Sequence, residues 1–445
     1  MKKKKSSSRS ARPKKNVRVP QGSSPSSDEH PISAALERFI RDIDSLDTTL
    51  PLVMIVLQAA YQTEAKQFRK YLHEKCEDIK QHGDSVSVKV PIERYQEFIN
   101  KRRSLQRMQM TSRTVPRSFL TSLVSHYDAF LGALLNACFM LRPETLSGSE
   151  RVLKFSELAG FGSLEAAKAS LVEKEVESVI RASHAEQFAW MEKRFDLPLQ
   201  KDLPSWSKFV EVTERRNLFV HCNGVVSTQY LKVCREQRVL IGSTRVGEEL
   251  HVSPEYFEES YQVIMEVGVK LAHVLWRKLR PDQRQTADSN LNEICLNLIR
   301  DGEYSIAKVL LDCANSQKKF ASDSMRRVFV LNRAQAYKWA GDSKAAKEIL
   351  DAEDWSACSE KYQLGVAVLR DEFDKASELM RNIGASGSPD KGDYKEWPLF
   401  REFRRFPQFA DAYKGIFGES YLESRTEQDE TQKKTGKEIE EQVVQ

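Results

Sequence analysis

The chain lacks long apolar runs. The longest, LPLVMIVLQAAY and FLGALLNACFML, contain about a dozen residues each, whereas a helix needs about 20 to cross a bilayer. We therefore expect both to be core helices of a protein with no membrane partner. With 19 Gly and 15 Pro in 445 residues, the composition also excludes a fibrous or wholly disordered protein.

Paired cysteines and a strong charge of one sign are also missing. The seven cysteines are scattered, without a CxxC pair or a neighbouring pair of histidines, and their number is odd. This pattern predicts neither a disulfide framework nor a zinc site, so we expect no cofactor and no metal. The 69 Lys and Arg against 64 Asp and Glu give a formal charge of +5, too mild to indicate a nucleic-acid partner by itself.

The first residues, MKKKKSSSRSARPKKN, have the basic start of a secretory signal. Ser, Arg and Pro follow where the apolar part of such a signal should be, so we expect a cytoplasmic protein. A segment with so few apolar side chains cannot offset the entropy lost on ordering. Such a tail can contact phosphates without specificity, or it can serve only to keep the chain soluble.

A chain of this length is expected to form two or three domains. Apolar residues recur at helical spacing along most of it, and only SVSVKV alternates like a short strand or half of a hairpin. The predicted fold class is therefore all-α. We expect these segments in chain order: a disordered basic tail, an N-terminal helical region, a helical bundle, helical repeats with a cap, and a disordered charged tail, at 1–32, 33–112, 113–285, 286–423 and 424–445.

Four long helices are predicted in the bundle, with a short loop or hairpin at residues 225–252. The second helix is expected to run from its cap at Ser163 through SLEAAKASLVEKEVESVIRASHAEQFAWMEKRF without a break. The third ends at Asn223-Gly224, and the fourth is capped by Ser253 with Pro254 in its first turn. In the N-terminal region, the run Lys101, Arg102, Arg103 and Arg107 is typical of a solvated helix face.

The segments NLIRDGEYSIAKVLL, KWAGDSKAAKEIL and VLRDEFDKASELM can be aligned with one another, with Ala307, Ala346 and Ala376 in the same position. They resemble tetratricopeptide repeats, in which small residues stand where two paired helices touch. The Trp- and Phe-rich segment after them is expected to cap the stack. The repeats suggest a sensor or a docking surface for a protein partner.

Arg216 is unusual in the third bundle helix, FVEVTERRNLFVH. On a helical wheel it lies on the apolar side, among Phe209, Val212, Phe219 and Val220. A guanidinium removed from water needs a carboxylate partner or a polar cleft. Either it pairs inside the bundle or it lines a cleft; the candidate partners are Glu157, Glu175 and Asp128.

The neighbours of Arg216 differ in kind. Glu214 and Arg215 fall on the outer half of the wheel, as solvated residues do. Asn217 and His221 are four residues apart and lie one above the other, with His221 in the last turn. Arg-x4-His alone is a weak motif; its position at the end of a bundle helix, with a polar residue directly after the arginine, gives it meaning.

From about Val115 to Leu279 the chain resembles the HEPN superfamily of all-helical proteins. The segments that carry the resemblance are PRSFLTSLVSHYDAFLGALL, EKEVESVIRASHAEQF and above all ERRNLFVHCNGVVS. The family signature is an arginine, four to six residues that include a polar one beside it, and a histidine. On this resemblance Arg216 and His221 are the signature pair and Asn217 is the polar residue.

The resemblance is to the RiboL-PSP and toxin-like branch, and it implies a metal-independent endoribonuclease. Many such members act as dimers, often as toxins or in defence against phage; others are inactive nucleotide-binding or scaffolding modules. We therefore expect RNA as substrate and a second copy as partner. The alternative is a non-catalytic interaction protein, in which the bundle only dimerises and the repeats bind a partner.

The expected chemistry is attack of the RNA 2′-hydroxyl on its own phosphorus. His221 can serve as general acid or base, and the guanidinium of Arg216 matches the phosphate oxygens as charge builds up on them. Asn217 can orient the histidine or the phosphate. Arg215 is a secondary candidate, as are Arg181 and His184, predicted three apart on one helix and facing either the same cleft or a neighbouring helix.

Overall fold

The computed structural model describes residues 30–82, 85–148, 154–201 and 203–421. The predicted charged tail and nearly all of the predicted basic tail lie outside these ranges. The described residues are mostly helical, with one two-stranded sheet, which confirms the all-α class.

Two long helices, α1 (Pro31–Lys75) and α2 (Tyr95–Leu141), form an antiparallel hairpin. The strands β1 (Glu77–His82) and β2 (Ser85–Lys89) pair between them. The strand predicted from SVSVKV is therefore confirmed. Its partner was missed because EDIKQH has no alternating apolar pattern.

Helix α2 runs through the predicted domain boundary at residues 112 and 113 without a break. Pro116 lies buried inside α2. A proline removes one backbone hydrogen bond and does not always end a helix whose side chains are held in a core. Residues 33–112 and 113–285 consequently share a helix and a hydrophobic core.

The bundle is completed by shorter helices. They are α3 (Phe155–Gly160), α4 (Leu164–Ile180), α5 (His184–Phe195), α6 (Trp206–His221), α7 (Thr228–Glu236) and α8 (Pro254–Leu279). Of these, α4, α6 and α8 pack on α2, while α5 packs on α4 and α6, and α7 packs on α6. Aromatic side chains fill the centre, where the ring centroids of Tyr127 and Phe209 are 5.0 Å apart. A Cβ atom at Gly268 would come within 2.4 Å of the Phe39 ring, so a glycine is needed where α1 crosses α8.

Two predictions about this region are wrong. The expected single helix after Ser163 is divided into α4 and α5 by a turn at residues 181–183, where Ser183 and Glu186 form a reciprocal capping box. The expected loop at 225–252 contains α7, whose cap is Ser227. In both places a local cap hydrogen bond sets where a helix begins. At residues 181–183 it does so despite the continuous helical spacing of the apolar residues on either side.

Residues 284–383 form three helical hairpins. Their helices are α9 (Arg284–Asp301), α10 (Tyr304–Asn315), α11 (Asp323–Trp339), α12 (Ser343–Asp351), α13 (Glu360–Leu369) and α14 (Phe373–Ile383). Ala307, Ala346 and Ala376 are each the fourth residue of a hairpin's second helix, and all three are buried. The alignment made from the sequence therefore places structurally equivalent residues together.

A closing unit follows the hairpins. It contains α15 (Lys391–Glu396) and α16 (Pro407–Phe417). Its fully buried aromatic side chains pack against α14, as predicted for a cap, and they are Tyr394, Phe400, Phe403, Phe409 and Tyr413.

Two helical segments, Pro31–Lys75 and Ile92–Leu141, are long and apolar enough to cross a membrane by length and composition alone. The most apolar stretch is 11% buried in the first segment and 56% buried in the second. Counting uninterrupted apolar runs missed both because polar residues interrupt them. The second is mainly a core helix, as expected for FLGALLNACFML. The expectation that LPLVMIVLQAAY is a core helix is wrong, because Leu52, Ile55 and Val56 are 64%, 62% and 68% exposed.

A group of carboxylates lies where α1 meets α8 and the start of α10. Burial, with Glu258 and Glu303 close by, raises the pKa of Asp47 to about 7. Asp44 also has a raised pKa, chiefly because of burial, and its Oδ1 accepts a hydrogen bond of 2.7 Å from the Tyr261 hydroxyl. Folded protein therefore keeps a proton on Asp47 that the unfolded chain releases near pH 4.

This difference predicts a pH-dependent gain from Asp47→Asn. Wild-type stability contributed by Asp47 is present below about pH 4 and is lost as the pH rises towards 7, because the folded state must then hold an additional charge. We expect the variant to be about 1–2 kcal/mol more stable than wild type at pH 8 and nearly equal at pH 4. Urea unfolding at both pH values measures this, with exposed Glu37→Gln as control. An equal gain at both values contradicts it.

Candidate active site

A cleft of about 860 Å³ lies between α2, the turn before α5, α6 and α7. Arg216, Asn217 and His221 line it from α6, and Arg181 and His184 line it from the other side. The fold thus brings Arg181 and Arg216, which are 35 positions apart in the sequence, to one cavity. The structure places Arg215 outside this cleft.

The Arg216 guanidinium is held by a carboxylate at the cleft wall. Its Nη2 atom donates to Oδ2 of Asp128 on α2 at 2.5 Å. The two side chains are 18% and 24% exposed, so Arg216 both makes an ion pair and lines the cleft. Of the other partners considered, Glu175 pairs with Arg194 at 2.6 Å.

One ion pair uses only part of what the arginine can donate. A guanidinium has five N–H groups, and the buried Nε of Arg216 has no hydrogen-bond partner among the described residues. Asp128 therefore fixes the orientation of Arg216 and leaves donors for an anionic group in the cleft.

His184 shares the same carboxylate. Its Nε2 lies 2.9 Å from Oδ1 of Asp128, and its ring packs against Tyr127 and Phe209 at centroid distances of 6.0 and 5.6 Å. The ring is almost fully buried, and it belongs to the first residue of α5, whose cap is Ser183. The sequence analysis considered Asp128 only as a structural partner of Arg216. In the structure its carboxylate on α2 pairs with both His184 on α5 and Arg216 on α6 and so joins the three helices.

The prediction that Arg181 and His184 lie on one helix is wrong. Arg181 is the C-cap of α4, and His184 is the first residue of α5. The Arg181 side chain is 77% exposed and pairs with Glu177 at 2.5 Å. The sequence signal for the break was the Ser-x-x-Glu spacing of Ser183 and Glu186, which is typical of a capping box.

Glu214 lines the cleft and is not a solvated residue, contrary to its position on the wheel. Its Oε1 accepts a hydrogen bond of 3.3 Å from Nδ2 of Asn217. Burial raises the pKa of the Glu214 carboxyl, although His184 and Arg216 nearby oppose the shift. A carboxyl that holds its proton more tightly than usual therefore lies beside Asn217.

Arg215 belongs to a different, buried network. Its guanidinium lies 3.9 Å from the ring centroid of Tyr256, and its Nε donates to Glu211 at 2.7 Å. Glu211 is 5% exposed and also accepts hydrogen bonds from the hydroxyls of Tyr230 and Tyr256. The expectation of a solvated Arg215 is wrong, and its contacts join α6 to α7 and α8.

The end of α6, which carries His221, is held by a tight turn. Asn223 and Gly224 have φ angles of 51° and 81°, and the Gly224 N–H donates to the Leu218 carbonyl at 2.9 Å. A Cβ atom at Gly224 would lie 3.0 Å from the Phe219 ring. Both the left-handed backbone and the lack of space favour glycine here.

Arg117 fastens this turn to the loop before α8. Its guanidinium donates to the Leu250 carbonyl at 3.1 Å and to Glu249 at 2.6 Å, and it lies 5.2 Å from the centroid of Phe219. His221 itself is exposed at the rim of the cleft. Val220, predicted on the buried side, is 51% exposed, because the last turn of α6 extends beyond the core.

The chain matches no family model, no curated protein and no solved structure in the comparisons made. The class that the fold defines is a mostly helical protein with a bundle and helical hairpins. The site is a cleft with an oriented arginine in its wall and a histidine at its rim.

Proposed function

We propose that the chain is a metal-independent endoribonuclease of the HEPN type. The observation that carries the proposal is that Arg216, Asn217 and His221 line one 860 Å³ cleft, with Arg216 turned by Asp128 and left with unused donors. A cleft of this size has room for a nucleotide and its phosphates. The resemblance to HEPN proteins further supports a toxin-like or defence-related role in the cytoplasm.

In this mechanism the RNA 2′-oxygen attacks the adjacent phosphorus, and the bond from phosphorus to the 5′-oxygen breaks. The 2′-hydroxyl proton passes to a base, and the leaving 5′-oxygen receives a proton from an acid. His221 takes one of these roles. Arg216 donates to the phosphate oxygens while negative charge increases on them. Asn217, hydrogen-bonded to Glu214, orients the phosphate.

A second copy of the chain supplies the other proton-transferring group, its own His221. HEPN-like members that act as dimers support this arrangement. The hairpins α9–α14 are then available to bind a protein partner, such as an antitoxin that restrains the nuclease.

The test is cleavage of mixed RNA by purified protein in excess EDTA. We expect cleavage to continue and the products to end in a 2′,3′-cyclic phosphate, because the attacking group is the RNA's own hydroxyl. His221→Ala should reduce the rate by at least about a hundredfold. Cys222→Ala, a change at the next residue on the same cleft, serves as the control and should remain active.

Two results would contradict the proposal. Loss of cleavage on chelation, restored by magnesium, would require a metal mechanism. Binding of RNA without any cleavage would favour the non-catalytic scaffold.

A further inference from the structure

The end of the α1–α2 hairpin that is distant from the bundle is strongly basic. Residues 62–75 and 95–107, which we call the basic arm, contain eight Lys and Arg but three Asp and Glu, a formal charge of +5. The entire chain has the same formal charge. The excess positive charge is therefore concentrated in the arm, and the net formal charge of the rest of the chain is zero.

Most of these cations are exposed and lack an acidic partner. Lys66, Arg69, Arg102, Arg103 and Arg107 are exposed, and no ion pair within 4 Å joins any of them to a carboxylate of the described residues. Elsewhere in the arm, Lys70 lies 3.8 Å from Glu74. Cations that only solubilise a helix are commonly interspersed with acids on the same face, and this arm has few.

The three arginines of α2 form one surface. At about 100° per residue, Arg102, Arg103 and Arg107 fall within ~140° of the helix circumference. The exposed side chains between the cations of the arm include the polar Gln62, Thr63, Gln67 and Gln106. The aromatic Tyr95 is also exposed within the arm, and Met110 is exposed one turn beyond Arg107. A helix that lies on a membrane has a continuous apolar face beside its cations, whereas the mainly polar surroundings of these cations favour a polyanion in water.

We propose that the basic arm binds the phosphates of an RNA strand beyond the segment that occupies the cleft. This inference rests on the proposed function for the identity of the polyanion. Planar guanidinium groups match phosphate oxygens in pairs, and three arginines on one face can follow a sugar-phosphate backbone. The arm makes the enzyme selective for long RNA.

Helix geometry sets the required length. Arg107 and Arg102 precede Asp128 on α2 by 21 and 26 residues, which corresponds to ~32 and ~39 Å at 1.5 Å per residue. A stacked strand with a phosphate every ~3.4 Å covers this distance in about 9 to 12 nucleotides. A 5-nucleotide RNA therefore reaches the cleft or the arm, but not both.

The test compares RNA binding by two triple variants in a His221→Ala background, where the RNA is not cut. Arg102→Gln, Arg103→Gln and Arg107→Gln change the arm. Lys318→Gln, Lys319→Gln and Lys347→Gln remove the same charge from exposed positions on the hairpins α9–α14. Circular dichroism and thermal unfolding verify that both variants fold.

For a 30-nucleotide unstructured RNA, we expect the arm variant to bind at least about tenfold more weakly at low salt. The slope of log affinity against log salt should become shallower by about 2, since each lost phosphate contact removes ~0.7. The control variant should change affinity less than twofold. Binding of a 5-nucleotide RNA in the cleft should be the same in both variants.

Equal weakening by the two triple variants would overturn the arm proposal, as would equal weakening for the short and long RNAs. Arm-dependent binding to phosphatidylserine vesicles, without arm-dependent binding to RNA, would make the surface a membrane site. Wild-type cleavage is measured separately. If wild type cleaves RNA but the arm variant binds the long RNA as tightly as the control variant does, only the arm proposal is wrong. If the arm variant binds RNA more weakly but wild type does not cleave it, only the proposed nuclease function is wrong.

Discussion

Arg216→Ala is expected to reduce RNA cleavage by about a thousandfold and to lower the free energy of unfolding by about 2 kcal/mol. The loss of activity follows from removing the donors that stabilise the phosphorane. The loss of stability follows from leaving Asp128 without its 2.5 Å partner. It is smaller than for a fully buried pair because both side chains retain contact with water. Cleavage assays and urea unfolding measure the two effects.

Arg216→Lys separates these two contributions. A lysine keeps the positive charge beside Asp128 but has no planar fork. We expect it to recover most of the stability and little of the activity. If Arg216→Ala loses stability yet cleaves normally, Arg216 is a structural partner of Asp128 and the proposed role in catalysis is wrong.

The Arg216 environment shows how far sequence reasoning reaches. The wheel located a cation on an apolar face, and physical chemistry limited the outcome to a carboxylate or a cleft. The structure combines both. The partner is 88 residues away along the chain, and three carboxylates met the criterion, so only the packing of α2 against α6 identifies Asp128.

The sequence contains the signals for turns and caps, because these are formed by residues close together in the chain. The hairpin alignment succeeded because each turn repeats the same geometry two residues before its second helix: Gly302, Gly341 and Asp371 have φ angles of 90°, 89° and 61°. The break between α4 and α5 was also encoded locally, in Ser183 and Glu186. It was missed because the apolar spacing on both sides suggested one continuous helix.

Other errors came from assuming that a side chain on the polar face of a helical wheel is exposed to solvent. Glu214 and Arg215 fall on the outer half of an isolated wheel, yet α7 and α8 cover that side of α6. Because residues 225–252 were expected to form a loop or hairpin, no helix was predicted to cover this side of α6. A wheel describes one helix, and its polar half becomes interior when a further element packs on it.

Arg216 and His221 lie far apart along α6, and this separation bears on the oligomeric state. His221 is five positions after Arg216, so in a straight helix their directions differ by ~140° and their positions by ~7.5 Å along the axis. Arg216 lies in the cleft wall and His221 is exposed at the rim. A second copy related by two-fold symmetry can add its own His221 at that rim, giving separate acid and base.

This arrangement predicts that two inactive variants restore each other. Arg216→Ala and His221→Ala proteins are mixed under conditions that allow subunits to exchange, so that roughly half of the dimers contain one copy of each. A mixed dimer keeps one Arg216 and one His221 at the shared site. We expect cleavage to return to a measurable fraction of the wild-type rate, while each variant alone remains inactive.

Exchange is verified with two fluorescent labels, one on each variant, and the control mixes His221→Ala with a second batch of itself. If exchange occurs and the mixture stays inactive, each copy must contain a complete site. The second proton would then have to come from a group in the same cleft, and Glu214, whose pKa is raised by burial, is positioned to supply it. If each copy contains a complete site, Glu214→Gln in the otherwise wild-type protein should abolish cleavage. If the site is shared, Glu214→Gln should be tolerated, because the partner's imidazole provides the proton.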